Sequence, residues 1–411
     1  MSATPGATLD RPAASGGGDG PTDGGTPAAP PAPRRRDPLW AKLVIIFGAL
    51  LLLGSAGVTT LVRYGEHEVN NSIHKVNPEG IGATAGDKHA TITGPKNILL
   101  VGIDPRDNVP DGVDLASSAP DDGIHSDSVI ILHINANHDQ AYMVSIPRDT
   151  KVDIPAKTTA GTPYGKTTAK LNAAFQRGSA GLTGDQAIEG GLTLLSATIK
   201  QDFQISFDAA AVVDFSGFDK IVDYIGGVDM YVDEDVKSIH IGINSKGQTV
   251  TPGMRQSADL MHVYPIPGVT PIEYTKGWHH FAGWQALDYC RQRHVLALGD
   301  GDYGRQRHQQ QFLKAVFKKI VNNYMNNPTK LAGVISKVGE TMSVADGGIS
   351  LTDWVWAMRG IGQDGLVTMR TNGGQFANIP GTGYELLTQT SLDMLAAVRS
   401  DTMGAFATEH P

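Results

Sequence analysis

From residue 43 to residue 62 the chain runs for twenty positions without a charge, the length that spans the hydrocarbon layer of a bilayer, and this stretch predicts a transmembrane helix. A buried core helix is rarely so apolar on every side, and the apolar region of a cleaved signal is usually shorter. Before it, Met1 to Pro33 is Gly, Pro, Ala, Ser and Thr with almost no bulky side chain to bury, so residues 1–42 read as a disordered tail. Beyond the span the apolar runs shorten. Those at 97–102, 128–134 and 141–146 have the length of buried strands and are bounded by turn residues. Helical spacing follows over 183–200, then a strand at 210–214, a helix at 215–225 and a strand at 228–232. Phe312, Ala315, Val316, Ile320 and Tyr324 recur on one helical face and predict a helix over 303–324. Further helices are expected at 330–341, 351–361 and 384–398, with a strand at 366–370. The stretch 239–277 is rich in Gly, Pro and polar residues and predicts no defined element.

Strands alternating with helices predict an α/β chain. The expected fold is a single α/β/α sandwich domain with a central mixed sheet, preceded by one transmembrane helix. The expected organisation is a tail over 1–42, a span over 43–62, a juxtamembrane stalk over 63–95 and one catalytic domain over 96–411. Charge sets the orientation. Arg34, Arg35, Arg36 and Lys42 precede the span and only Arg63 follows it closely, so the N-terminus is expected in the cytoplasm and the domain outside the cell membrane. A formal net charge of −8 speaks against a nucleic-acid partner. The single cysteine, Cys290, permits no intramolecular disulfide and reads as a small buried hydrophobe. The outer part contains no Gly-x-Ser-x-Gly, His-Glu-x-x-His or Cys-x-x-Cys, which excludes nucleophile-elbow hydrolases and zinc peptidases of those types.

Against the acidic background, Arg291, Arg293, Arg305 and Arg307 fall within 17 positions and bracket the start of the helix expected over 303–324. A helix start offers free N–H groups, and guanidiniums beside it grip a phosphate through paired donors. Four charges at such spacing also read as a solvated basic patch. Asp302 stands just before the helical run as a candidate N-cap. Between the first two strands lies a long loop containing Asp104, Asp107, Asp111, Asp114, Asp121, Asp122 and Asp127. Its carboxylates suit a hard cation such as Mg²⁺, and equally suit turn chemistry. Arg148 and Asp149 end the third strand together as a neighbouring ion pair, and Asn172 reads as a cap at a helix start.

Seven motifs in one order carry a resemblance. They are Asn97-Ile-Leu-Leu-Val-Gly-Ile-Asp104-Pro-Arg106; Ser126-Asp127; Ser145-Ile-Pro-Arg148-Asp149-Thr150; Lys170-Leu-Asn172-Ala-Ala-Phe; Gly226-Gly-Val-Asp229; Ala286-Leu-Asp-Tyr-Cys-Arg291-Gln-Arg293; and Asp302-Tyr-Gly-Arg305 followed by Gln309-Gln310. Over about residues 96–330 the chain resembles the LytR-CpsA-Psr family. The resemblance implies a Mg²⁺-dependent phosphotransferase. It would move a glycopolymer from an undecaprenyl (polyprenyl) pyrophosphate carrier to the N-acetylmuramic acid of peptidoglycan, with possible pyrophosphatase activity. Lipid-pyrophosphate phosphatase and a membrane-anchored wall sensor without turnover are the alternatives. Carried over residue by residue, Asp104 and Asp127 would hold Mg²⁺. Arg148, Arg291, Arg293 and Arg305 would grip the pyrophosphate, Asp302 would steer or deprotonate the acceptor hydroxyl, and Arg106, Asn172 and Gln309 would complete the cofactor-binding set. The chain departs from the pattern in its longer loop between Asp104 and Asp127. It departs again in the extended loop between Arg293 and Asp302, and in His308, which stands where the family often has an arginine. Arg307 lies off the pattern and is expected to tolerate lysine.

Overall fold

The computed structural model describes residues 74–82, 92–103, 123–158, 160–214, 218–257, 262–324, 333–334, 342–349, 354, 360–362 and 365–410. Among these residues no helix is long and apolar enough to cross a membrane. The span expected at 43–62, the tail before it and the helices expected at 330–341 and 351–361 lie wholly or mostly outside them, as do Asp104 and Arg106.

The strands are β1 (His74–Lys75), β2 (Lys96–Ile103), β3 (Ser126–Ile134), β4 (Ala141–Ile146), β5 (Lys151–Ile154), β6 (Thr167–Lys170), β7 (Ala209–Asp214), β8 (Val228–Val232), β9 (Val236–Asn244), β10 (Thr249–Val250), β11 (Met254–Gln256), β12 (Val263–Pro265), β13 (Val269–Tyr274), β14 (Gly277–Phe281), β15 (Met342–Ala345) and β16 (Leu366–Arg370). The helices are α1 (Asn172–Ser179), α2 (Gly184–Phe203), α3 (Phe218–Tyr224), α4 (Gly283–Arg291), α5 (Gly301–Tyr324), α6 (Gln389–Ser400) and α7 (Met403–Glu409). Seven strands form the central sheet in the order β1-β15-β7-β2-β3-β4-β16. The sheet is mixed: β2 runs parallel to β7 and β16 parallel to β4, while β3 is antiparallel to both of its neighbours.

The central strands read as unbroken apolar runs because both faces are covered. Alternation then divides each strand between two cores. Ile98 and Leu100 point into one, with Leu287 and Tyr289 of α4 and Phe312, Val316, Phe317 and Ile320 of α5. Leu99, Val101 and Ile103 point into the other, with Phe175 of α1, Leu192 and Leu195 of α2, Leu395 of α6 and Phe406 of α7. The chain is therefore a mixed α/β fold with helices on both faces of a central mixed sheet. Burying a side chain such as Phe317, which is 1% exposed, contributes about 1.5–3 kcal/mol.

Two stretches differ from expectation. Part of the segment read as a stalk belongs to the sheet: β1 pairs in parallel with β15, Val76 is buried, and Ile81 bridges Phe207. Residues 239–277, which predict no element, build the excursion of β9 to β14. Its short strands, broken by Pro252, Pro265 and Pro271, bury too few positions to leave an apolar run in the sequence.

One edge of the sheet gathers the candidate functional residues. β2, β4, β7 and β16 all end there, while antiparallel β3 begins there, with Ile103 opposite Ser126. In α/β sheets the crevice beyond the strand ends is the usual ligand site. Gly123 admits the chain into β3. Its φ is +93°, and a Cβ there would lie 2.0 Å from the Gln176 carbonyl oxygen, so only glycine allows this approach to α1.

Candidate active site

Helix α5 lies across this edge and is anchored by its own polar residues. Gln310 Nε2 donates to Ser145 Oγ at 2.8 Å and to the Met369 carbonyl at 3.1 Å, and Thr371 Oγ1 donates to the Ser145 carbonyl at 2.9 Å. The anchor fixes which face of α5 meets the edge. Asp302, Arg305 and Gln309 follow one another at three- and four-residue steps and so share a face.

On that face, Arg305 NH2 pairs with Asp302 Oδ1 at 2.5 Å and donates to the Asp127 carbonyl at 3.3 Å. Arg148 NH1 donates to Asp127 Oδ1 at 2.6 Å. Asp302 lies inside the first turn of α5 and is not the N-cap that its position suggested. Its second oxygen accepts from Gln306 Nε2 at 3.2 Å. Burial alone would push the Asp302 carboxyl up, but Arg305, Arg148, Gln306 and Arg293 outweigh it and hold it below the ordinary value. Burial, with Arg148 and Arg293 nearby, lowers Arg305 to about 10, so it stays charged at neutral pH. Three arginines thus gather around the Asp302 and Asp127 carboxylates at a sheet edge. Among the described residues Arg148 Nε and Gln309 Nε2 are buried without a hydrogen-bond partner. Buried donors are normally satisfied, so both suit an oxygen-rich ligand.

Arg148, Asp127, Arg293, Asp302 and Arg305 are therefore brought together. Arg293, half-buried, meets His294 through Nε at 3.3 Å. Asn172 opens α1 through its backbone, whose N–H donates to the Arg148 carbonyl at 3.1 Å, and its side chain caps nothing there. Arg148 and Asp149 do not pair with each other: Asp149 takes Lys170 Nζ at 2.9 Å. Arg291 ends α4 and acts electrostatically on Asp288 and Tyr274, in a different polar group. There the buried Asp288 carboxylate accepts from Tyr274 OH, Ser238 Oγ and Gln292 Nε2, and burial raises it to about 6 despite these bonds. Cys290 is fully buried in helix α4, as a small hydrophobe would be.

The opposite face of α5 holds what sequence reasoning missed. Arg307 donates Nε to Asp233 Oδ2 at 2.7 Å, NH1 to Asp300 and NH2 to Glu234. His308 Nε2 meets Glu234 Oε1 at 3.1 Å, and its ring stacks on Tyr289 with centroids 4.3 Å apart. Glu234 Oε2 also accepts from the Leu298 N–H at 2.7 Å. Burial raises Glu234, but His308, Leu298 and Arg307 outweigh it and hold it below the ordinary value. Asp233, Glu234 and His308 place three donor atoms within 4.8 Å of one another, a spacing that suits a cation, yet the Arg307 guanidinium already serves both carboxylates. The group ties the exit of β8 to the loop 292–300 and to α5. The acidic run Asp233-Glu234-Asp235 directly after β8 was the available signal.

The LytR_cpsA_psr family model matches residues 60–397. The chain belongs to the LytR_cpsA_psr family. Among its relatives are the polyisoprenyl-teichoic acid–peptidoglycan teichoic acid transferase TagV of Bacillus subtilis, 27% identical over 53% of this chain and 44% of that protein, and the regulatory protein MsrR of Staphylococcus aureus, 29% identical over 57% and 56%. TagU of Bacillus cereus, named as the same kind of transferase, is 29% identical over 55% of this chain and 52% of its own length. The chain spans about half the length of the curated relatives it matches. The crystal structure of protein gbs0355 from Streptococcus agalactiae superposes with a TM-score of 0.51 at 22% identity, covering 75% of this chain and 88% of that one, a likeness of fold.

Proposed function

We propose that this family member is a membrane-anchored phosphotransferase. It takes a glycopolymer from a polyprenyl pyrophosphate carrier, undecaprenyl pyrophosphate in the reading made from sequence, and joins it to the N-acetylmuramic acid of peptidoglycan outside the cell membrane. The observation that carries the reading is the group of Arg148, Arg293 and Arg305 around Asp302 and Asp127 at the strand ends. The activities for which TagV and TagU are named support the substrate class.

Transfer of a phosphoryl group builds negative charge on the equatorial oxygens and on the leaving phosphate, and protein catalysis consists largely of positioning and electrostatic stabilisation. Arg305 is fixed by Asp302 and Arg148 by Asp127, so both guanidiniums are pre-aimed before substrate arrives. Arg293 brings a third cation, and Gln309 Nε2 brings a neutral donor.

The residues also fit Mg²⁺ in part. Arg148 engages Asp127 Oδ1, and among the described residues nothing donates to Oδ2, which is a hard oxygen of the kind Mg²⁺ prefers. Asp127 with Asp104 would hold the ion, which would neutralise charge on the pyrophosphate. Asp127→Ala should abolish transfer; undiminished turnover would remove the metal assignment.

The deciding experiment incubates the full-length protein, in detergent, with a labelled lipid-linked oligosaccharide and a peptidoglycan fragment. Label should pass to the fragment. Phosphate release that peptidoglycan does not alter would identify a hydrolase, and tight donor binding without turnover would identify a sensor.

A further inference from the structure

The transferase reading leaves the proton of the attacking hydroxyl unassigned. Asp302 is poorly suited to take it. One of its oxygens is committed to Arg305 and the other to Gln306, and three arginines keep it ionised. A carboxylate so stabilised has little affinity for a proton.

A second acid lies beside it, far away in sequence. Glu385 is 3% exposed and belongs to no helix or extended strand. Its backbone docks onto the segment that follows Arg148: the Glu385 N–H donates to the Asp149 carbonyl at 2.9 Å, and the Lys151 N–H donates to the Glu385 carbonyl at 2.8 Å. Its side chain reaches the other wall of the site, where Oε2 accepts from Tyr303 OH at 2.7 Å. Tyr303 follows Asp302 directly in the first turn of α5, and its hydroxyl is held by Asn372 Nδ2 at 3.1 Å. Glu385 therefore bridges the loop of Arg148 and the helix start of Arg305.

We propose that Glu385 is the general base that receives the proton of the acceptor hydroxyl. This rests on the transferase reading and deepens it. In the step, the acceptor oxygen forms a bond to the phosphorus that carries the glycopolymer, and its proton passes to the Glu385 carboxylate. The bond from that phosphorus to the bridging oxygen breaks, and the electron pair leaves with the polyprenyl phosphate, which the arginines stabilise. The charges facing Glu385 agree with the role. Burial raises its carboxyl, as do Asp149 and Asp302, against the opposing Tyr303 hydrogen bond and Lys170. A base works best when its proton affinity approaches the working pH, and Glu385 is shifted toward that point while Asp302 is shifted away.

The test compares full-length wild type, Glu385→Gln and Glu385→Asp in the transfer assay across pH. Glutamine keeps an oxygen for the Tyr303 hydroxyl, so the melting temperature and the donor KM should hold, while kcat falls by about a hundredfold or more. Wild-type kcat should show an acid limb above the ordinary glutamate range, which Glu385→Gln removes and Glu385→Asp retains at a displaced pH. A structural staple would not carry that limb. Near-normal kcat in Glu385→Gln overturns the proposal, and so does a wild-type profile without an acid limb, a measurement that needs no variant to fold. A wild type that moves no label onto peptidoglycan sinks the transferase reading itself; normal transfer by both variants sinks only the role of Glu385.

Discussion

Arg307→Lys tests the structure where it departs most from the sequence, because position 307 lies off the family pattern and yet its side chain is only 11% exposed. The guanidinium uses three different nitrogens on three carboxylates from two separate segments, Asp233 and Glu234 after β8 and Asp300 in the loop before α5. Lysine carries the same charge on one nitrogen at the end of a differently shaped chain, and it cannot reproduce that fork. At least one charge-assisted hydrogen bond is lost, at about 1.5–3 kcal/mol each in buried settings. Glu234 is the partner least able to turn to water, since its side chain is 2% exposed. For a domain of this size such a loss lowers the melting temperature by roughly 2–5 °C. Arg307→Ala, which leaves three neighbouring carboxylates with His308 alone, should cost more, about 3–5 kcal/mol. Urea and thermal melts followed by circular dichroism measure both. If Arg307→Lys melts with the wild type and Arg307→Ala shifts the urea midpoint only slightly, the cluster is a solvated charge group and does not hold α5 in place.

Three other outcomes are expected. Arg305→Lys keeps the charge but loses the paired geometry against a pyrophosphate, and kcat/KM for transfer should fall by about tenfold to a hundredfold; near-normal turnover would move the site elsewhere. Asp288 is raised in the folded state to about 6 from an ordinary 3.8, so its contribution is fully present below about pH 3.8 and is lost as pH rises through about 6, a swing on the order of 3 kcal/mol. Asp288→Asn should therefore flatten the dependence of the melting temperature on pH between 4 and 7, and a slope equal to that of the wild type would contradict the assignment. A reporter that fluoresces only in the cytoplasm should be bright at Met1 and dark after Pro411, and the reverse would end the extracytoplasmic reading.

What the sequence made legible follows from how each feature is encoded. The strands β2, β3 and β4 were found nearly to the residue because strands buried on both faces must be continuous apolar runs. Arg148, Arg293, Asp302 and Arg305 could be singled out as candidates because each stands in a short local motif next to a strand end or a helix start. The converging group made from them could not be read locally, since Asp127 meets Arg148 across 21 positions and Arg305 across 178. Arg307 and Glu385 carry no local signature at all. Each is defined by partners 74 or 82 positions away, and each would pass for an ordinary surface charge in the sequence. His308 is the instructive intermediate. Its departure from the family pattern was visible, but only the fold gives the reason: the residue is fully buried against Tyr289 and answers Glu234, so here an arginine would have to compete with Arg307 for the same carboxylate. A histidine in that place supplies a flat ring and one donor, which is what the stacked and already paired surroundings accept.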